Sequence, residues 1–270
     1  MRLRVMTYNI HHGVGMDRRL DLTRIARTIS ESGAELVALQ EVDRHFGSRS
    51  EFADQAGWLA ERLSMDVAYG SSLDLDPGQP ERPRRQYGNA LLCRYPIAEP
   101  ATRLLPRCEA SRNPEERSLL TGRITVAGTP IWVHNTHLHQ STRQGRLTQA
   151  RTVRELIGSP SDPVILCGDF NAAPDTTEVR EIGRGLVDAW TRAGNGPGYT
   201  FSAQLPRIRI DYVLTSPELT ATGARVLDTR ASDHRPVVVE LVSCARDCLM
   251  KSDVQVVARK AEEEPVPVLY

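Results

Sequence analysis

Residues 163–174, Pro-Val-Ile-Leu-Cys-Gly-Asp-Phe-Asn-Ala-Ala-Pro, constrain this chain more than any other stretch. The apolar run from Val164 to Cys167 is short and bounded, as a buried strand is. Gly168 stops it, Asp169 and Asn171 follow one residue apart, and Pro174 closes the loop. Side chains at i and i+2 of extended backbone point the same way, so Asp169 and Asn171 are expected to look into one space. That space lies at the carboxyl end of a strand, where open α/β sheets gather their chemistry.

The rest of the chain supplies the partners such a strand needs. Residues 2–9 read as a first strand, with Leu3, Val5 and Thr7 alternating against Arg2, Arg4 and Met6. It ends at Asn9, followed by His11-His12-Gly13. Residues 21–32 read as a helix: Asp21 can cap it, Leu22, Ile25, Ala26 and Ile29 make one apolar stripe, and Gly33 ends it. Residues 35–40 form the next strand, with Glu41 at its end. A second helix is expected over 52–63, carrying Phe52, Leu59 and Leu63, and a polar, proline-rich loop over 74–86. Strands follow at 89–93, 118–126 and 131–136, the last running into His137. Residues 143–157 place Leu147, Ala150, Val153 and Ile157 on one helical face, and a short helix is expected over 177–184. The remaining strands are expected at 199–202, 208–215, 224–227 and 236–242. About four helices and ten strands, mixed without strict alternation, suit two sheets packed face to face with helices outside each. A domain over 1–242 is therefore expected, with 243–270 as an irregular, solvated tail.

Charge and cysteine usage narrow the function. Lys+Arg and Asp+Glu are equal at 34 each, which argues against holding nucleic acid by bulk charge and leaves room for a local basic cleft. There is no secretory hydrophobic segment and no run of apolar residues long enough to span a bilayer, so a soluble, cytoplasmic monomer is expected. Of the five cysteines, Cys93 and Cys167 fall in apolar strands and read as core thiols. Cys244 and Cys248 have no second half-site with which to hold zinc.

The polar residues at strand ends carry the chemistry: Asn9, Glu41, His137, Asp169, Asn171, Asp211 and the pair Asp233-His234. Singly, a strand-end Asn or Asp starts a turn or caps a helix. The same placement repeated along one chain is not explained by turns. Hard oxygen ligands without thiolates suit Mg²⁺ or Mn²⁺. Histidines beside acids suit proton transfer, or stabilise charge on a phosphoryl oxygen. Together they meet the needs of phosphate-ester cleavage: an activated water, charge neutralisation and help for the leaving oxygen.

The ordered set Thr7-Tyr8-Asn9, Leu39-Gln40-Glu41-Val42, Tyr87-Gly88-Asn89-Ala90, Asn135-Thr136-His137-Leu138, Gly168-Asp169-Phe170-Asn171, Arg209-Ile210-Asp211-Tyr212 and Ser232-Asp233-His234-Arg235-Pro236 resembles the endonuclease/exonuclease/phosphatase superfamily. DNase I, apurinic endonucleases, inositol-polyphosphate 5-phosphatases, neutral sphingomyelinases and deadenylases belong to that group. The resemblance implies a DNase I-like four-layered α/β sandwich and a hydrolase of phosphoric esters. It implies Glu41 as the main carboxylate for Mg²⁺ or Mn²⁺, with Asn9 and Asp233 near the same ion. It gives Asp169 the attacking water, and Asn171 that water or a phosphoryl oxygen. His234 would contact the phosphate, with Asp211 fixing its ring and charge. His137 would be a second phosphate ligand or a leaving-group acid, and Tyr87 a phosphate contact.

Substrate class is less constrained. Apurinic endonucleases usually carry an acid or amide two residues after the first Asn, where this chain has His11, which counts against DNA repair. Arginines 44, 49, 82, 84, 85, 112, 117, 143 and 146 fall near the expected cleft and suit a polyanionic substrate. The opening Thr-Tyr-Asn-Ile-His-His-Gly and Asp43-Arg44-His45 are similar to compact bacterial members of the superfamily, and favour a small or lipid-linked phosphate ester. A Mg-dependent nuclease acting on DNA or RNA is the alternative, and a non-catalytic binding protein a remote one.

Overall fold

The computed structural model describes residues 1–107 and 115–243. Cys108, Arg112, Cys244, Cys248 and the tail from 244 onward lie outside the described residues. In chain order the strands are β1 (Arg2–Asn9), β2 (Leu36–Arg44), β3 (Asp66–Leu75), β4 (Arg85–Cys93), β5 (Ala98–Leu104), β6 (Ser118–Val126), β7 (Thr129–His137), β8 (Val164–Asp169), β9 (Val187–Asp188), β10 (Asp211–Thr215), β11 (Thr220–Val226) and β12 (Val237–Val242). The helices are α1 (Leu22–Ser32), α2 (Gln55–Leu63), α3 (Arg143–Ile157), α4 (Thr177–Ile182) and α5 (Ala189–Ala193). No helix among the described residues is long and apolar enough to cross a membrane.

Two crossovers set the frame. β1 returns through α1 to the parallel β2, and β7 returns through α3 to the parallel β8. Both helices start at capping side chains, Asp21 accepting from the Arg24 N–H and Thr142 from the Gly145 N–H. Antiparallel strands extend each pair into a six-stranded sheet, ordered β11-β12-β1-β2-β4-β3 and β5-β6-β7-β8-β10-β9. Parallel neighbours share a direction, so Asn9 meets Gln40 in register in one sheet and His137 meets Asp169 in the other.

Three apolar layers hold four layers of structure. Leu3, Val5, Leu36, Leu91, Val133, Ile165, Cys167 and Val239 fill the space between the sheets. Met6, Tyr8, Val37 and Leu39 pack outward onto Ile25, Ile29 and Leu59 of α1 and α2. Leu166, Phe170, Tyr212 and Leu214 pack onto Val153, Val179 and Ile182 of α3 and α4. This is the DNase I-like sandwich. Toward the strand ends the apolar layer between the sheets turns polar. Gln40 donates to Thr7 (3.1 Å) and Asn135 (2.8 Å), and the Asn135 amide donates to the carbonyls of Leu39 and Ala90. These buried bonds tie β2 to β7 across the two sheets beneath the site.

Several local expectations change. Met6 is fully buried rather than on a polar face, because β1 is an inner strand covered on both sides. Phe52 precedes α2 and is exposed. Residue 201 forms only isolated bridges, to Ile208 and His234, and the strand expected from 208 begins at Asp211. Strands β3 and β5 have no apolar signature strong enough to be read. β5 is almost wholly exposed and holds its place through the backbone ladder to β6.

Candidate active site

The site is built around one buried amide. Asn9, the last residue of β1, donates through Nδ2 to Glu41 Oε1 (3.1 Å) in its own sheet and to Asp169 Oδ2 (3.1 Å) in the other. Its side-chain oxygen accepts the His11 N–H (3.0 Å), and Ser232 donates to its carbonyl (2.7 Å). Both ends of the Asn9 side chain are thus bonded, and the amide cannot turn without breaking contacts to both carboxylates.

Glu41 reaches this amide because β2 is irregular there. Its pairing with β4 slips between Leu39 and Val42, and Glu41 takes a left-handed φ of 57°. Such a bulge re-aims a side chain out of the sheet's alternation. Burial, and then the nearby Asp233 charge, push the Glu41 carboxyl above its ordinary value against the Asn9 hydrogen bond. Asp233 itself is half-buried, and lies 3.9 Å from His11 Nδ1 and 3.2 Å from Ser232 Oγ.

Asp169 is surrounded by donors. Besides Asn9, its Oδ2 has His137 Nε2 at 3.4 Å and His234 Nε2 at 3.6 Å, and its Oδ1 accepts the Asn171 N–H at 2.9 Å. Asp169 and Asn171 share a space as expected, through a tight turn instead of extended backbone: Asn171 is left-handed (φ 49°) and folds back over the aspartate. Burial raises the Asp169 carboxyl to about 7; Asp211 adds to the rise, and His234 and the hydrogen bonds oppose it. A carboxyl poised there exchanges a proton near neutrality.

The two flanking histidines carry different charges. His234 Nδ1 donates to Asp211 Oδ2 (2.9 Å). Burial disfavours its charged form, but Asp211 and Asp169 outweigh that and lift the imidazole to about 10. His137 is pushed well below its usual range by burial and the cationic Arg117. Arg117 NH1 faces His137 Nδ1 at 3.2 Å. A guanidinium only donates, and so does the Asn171 amide nitrogen 3.0 Å from Nε2, so the ring meets donors on both sides and takes no second proton. Asp169 therefore stands between an imidazolium and a neutral imidazole.

Tyr87 on β4 completes one wall. Its hydroxyl bonds Arg117, and burial, with the Glu41 charge, keeps it protonated far above its ordinary range. Arg49 lies over the Tyr87 ring at 5.4 Å and the Phe46 ring at 4.3 Å while paired to the buried Asp43 at 2.7 Å. Beyond Phe46 opens a cavity of about 650 Å³ lined by His45, Phe52, Arg82 and Arg85 among others.

All nine predicted site residues therefore fall at one end of the sandwich. Asn9, Glu41, Asp169, His137, Asn171, His234 and Asp211 form one continuous chain of contacts. Asp233 and Tyr87 join through Glu41's field rather than by a direct bond to it. Two groups escaped the sequence reading. Arg117 looked like one cleft arginine among many, and its burial against His137 is a tertiary fact. His11 and His12 enter the sequence reading as a departure from repair enzymes and as part of the likeness to compact bacterial members, with no role in the site, yet they stand beside Glu41. The other cleft arginines are largely answered: Arg44 by Asp54, Arg84 by Asp74 and Asp76, Arg146 by Glu178.

The model of the Endonuclease/Exonuclease/phosphatase family matches residues 6–234. A curated relative, uncharacterized protein YbhP of Escherichia coli, is 30% identical over 255 residues, covering 88% of this chain and 95% of its own. An endonuclease/exonuclease/phosphatase from Beutenbergia cavernae is 29% identical with a TM-score of 0.75, covering 90% of this chain and 72% of that one. A mannosyl-6-phosphatase from Bacteroides thetaiotaomicron has the same fold at 21% identity and a TM-score of 0.70, over 89% of this chain and 99% of that one.

Proposed function

This chain belongs to the endonuclease/exonuclease/phosphatase family, and from that premise we propose that it is a divalent-metal-dependent phosphoesterase that hydrolyses a phosphodiester or phosphomonoester by direct attack of water. The observation that carries the reading is the Asn9 amide, which bonds Glu41 on one side and Asp169 on the other. It holds a carboxylate suited to a cation next to a carboxylate suited to a proton.

The residues fit a hard divalent ion. Glu41 and Asp233 are two partly solvent-facing carboxylates close enough for one to raise the other's proton affinity, a strain that a cation relieves. Glu41, Asn9 and Asp233 would hold Mg²⁺ or Mn²⁺, which when bound neutralises phosphoryl charge and makes water more acidic.

The protein's own groups do the rest. Asp169, raised to about 7, takes the proton of the attacking water. Asn171, folded over Asp169, orients that water. His234, kept cationic by Asp211, faces charge developing on a phosphoryl oxygen. His137, held neutral by burial and by Arg117, contacts the phosphate rather than acting as the leaving-group acid. Tyr87, protonated on the adjoining wall, is a further phosphate donor.

A small or lipid-linked phosphate ester is the substrate we favour. The cleft arginines are mostly paired internally, which leaves little free positive charge to track a polynucleotide. The cavity beyond Phe46 combines aromatic and cationic walls, as an organic group bearing phosphate requires.

The test is a substrate panel run on metal-free protein with and without Mg²⁺ or Mn²⁺: aryl phosphate mono- and diesters, sugar and inositol phosphates, phospholipids, plasmid, abasic duplex and single-stranded RNA. Metal-restored turnover of small esters is expected. Turnover indifferent to chelation refutes the scheme, and turnover confined to plasmid or RNA replaces it with a nuclease.

A further inference from the structure

The turn after β1 places two imidazoles beside Glu41. One ligand atom from each of His11, His12 and Glu41 lies within 4.8 Å of the other two, and all three residues are half-buried. Each is held in the left-handed region, His11 at φ 45°, His12 at 43° and Glu41 at 57°. Such conformations are unfavourable for residues with a Cβ and persist only where their surroundings enforce them. Here the Asn9 side-chain oxygen holds the His11 N–H (3.0 Å), and the Gln55 amide holds the His12 carbonyl (2.7 Å).

The rings are set as ligands. His11 Nδ1 is 3.3 Å from the Val14 carbonyl, which can only accept, so that nitrogen carries the proton and the lone pair is on Nε2. Fixing the free tautomer through a backbone carbonyl is how proteins prepare a ligating histidine. His12 Nδ1 is buried with no hydrogen-bond partner. The two rings cross edge to face at 4.4 Å.

We infer that His11, His12 and Glu41 form a three-ligand centre, two imidazole nitrogens and one carboxylate, that takes a nitrogen-seeking divalent transition ion such as Zn²⁺ or Co²⁺ in preference to Mg²⁺. Mg²⁺ favours oxygen ligands and keeps its waters, whereas imidazole suits Zn²⁺ and its neighbours. Two histidines and one glutamate also match a donor set that leaves zinc an open position. The inference rests on the proposed function in one respect, that Glu41 is a metal carboxylate.

The test is binding, not turnover. Tag-free, metal-stripped full-length protein is titrated with Zn²⁺, Co²⁺ and Mg²⁺ by calorimetry, with the visible absorption of Co²⁺ as a reporter of nitrogen ligation. Glu41→Ala, His11→Asn and His12→Asn are compared, asparagine being chosen because it tolerates the left-handed backbone; circular dichroism checks that each folds. Wild type is expected to bind Zn²⁺ and Co²⁺ more tightly than Mg²⁺. Each histidine variant should weaken Zn²⁺ by at least about tenfold and lose the Co²⁺ bands, with Mg²⁺ binding little changed. If the histidine variants bind Zn²⁺ like wild type, or wild type prefers Mg²⁺, the inference is overturned. If only Glu41→Ala loses metal, the proposed function stands without it; if wild type binds no divalent ion, both fall.

Discussion

Replacing Asp169 by asparagine should remove the activity and strengthen the fold. Asp169 is 1% exposed and its carboxyl is raised from 3.8 to about 7, chiefly by burial. A carboxyl that binds its proton more tightly when folded favours the folded state below the unfolded value, near 4. That advantage is lost as pH rises toward the folded value, near 7. At about 1.4 kcal/mol per pH unit, the full loss is of order 4 kcal/mol. Asparagine has no proton to lose. It also withdraws a negative charge from His234, so the net gain above neutrality should be smaller, about 1–3 kcal/mol.

The pH dependence separates this effect from the mutation's baseline. Below about pH 6.5 His234 is protonated folded and unfolded, so the interval from about 4.5 to 6.5 reports Asp169. Over it, the difference in stability between variant and wild type should grow by about 2.7 kcal/mol, or roughly 5–10 °C in Tm for a chain of this size. Thermal melts in the presence of chelator measure it, and activity assays with metal should show a loss of about 10²–10⁴-fold. A Tm difference that stays constant across the interval, or a variant with near-wild-type turnover, would refute the reasoning.

Two further outcomes follow from single contacts. Asp211→Asn removes the charge 2.9 Å from His234 Nδ1, so the imidazole should fall from about 10 by more than about one pH unit, and the alkaline limb of the rate profile should move down with it. NMR titration of His234 checks this, and an unmoved limb contradicts the role given to Asp211. Gly168→Ala would put a Cβ 2.1 Å from the Thr136 carbonyl oxygen, where backbone on both sides must shift. A destabilisation of about 2–4 kcal/mol is expected in chemical unfolding, and an unchanged midpoint would show that the β7–β8 spacing is softer than drawn.

The site joins features that each weaken a fold. Asp169, Asp211, His137 and His234 are buried ionisable groups, while Glu41, His11, His12 and Asn171 hold left-handed backbone. The sandwich tolerates them because they cluster at one end, above the Gln40–Asn135 bonds and beyond the apolar layer of Leu36, Val133 and Ile165. Local cost concentrated at one place on a sound core is the usual mark of a functional centre.

Much of this was legible from sequence because strand ends are written locally. The run Val164–Cys167 followed by Gly168 and Asp169 reads as a short buried strand emptying into a turn, and Asn9, Glu41, His137, Asp211 and His234 repeat the pattern. Alternation and helical stripes gave β1, α1 and α3 for the same reason: period reports the local backbone. What the sequence could not contain is anything decided by which strands become neighbours. The exposed edge strand β5 exists only by pairing with β6. The neutral state of His137 follows from its burial and from Arg117, 20 residues away, and the aim of Glu41 toward Asn9 from a slip against β4. That one histidine is cationic and the other neutral was set by burial and by their partners, Asp211 for His234 and Arg117 for His137. Residue type supplied the donors, while burial and through-space charge, which depend on the whole fold, assigned their protons.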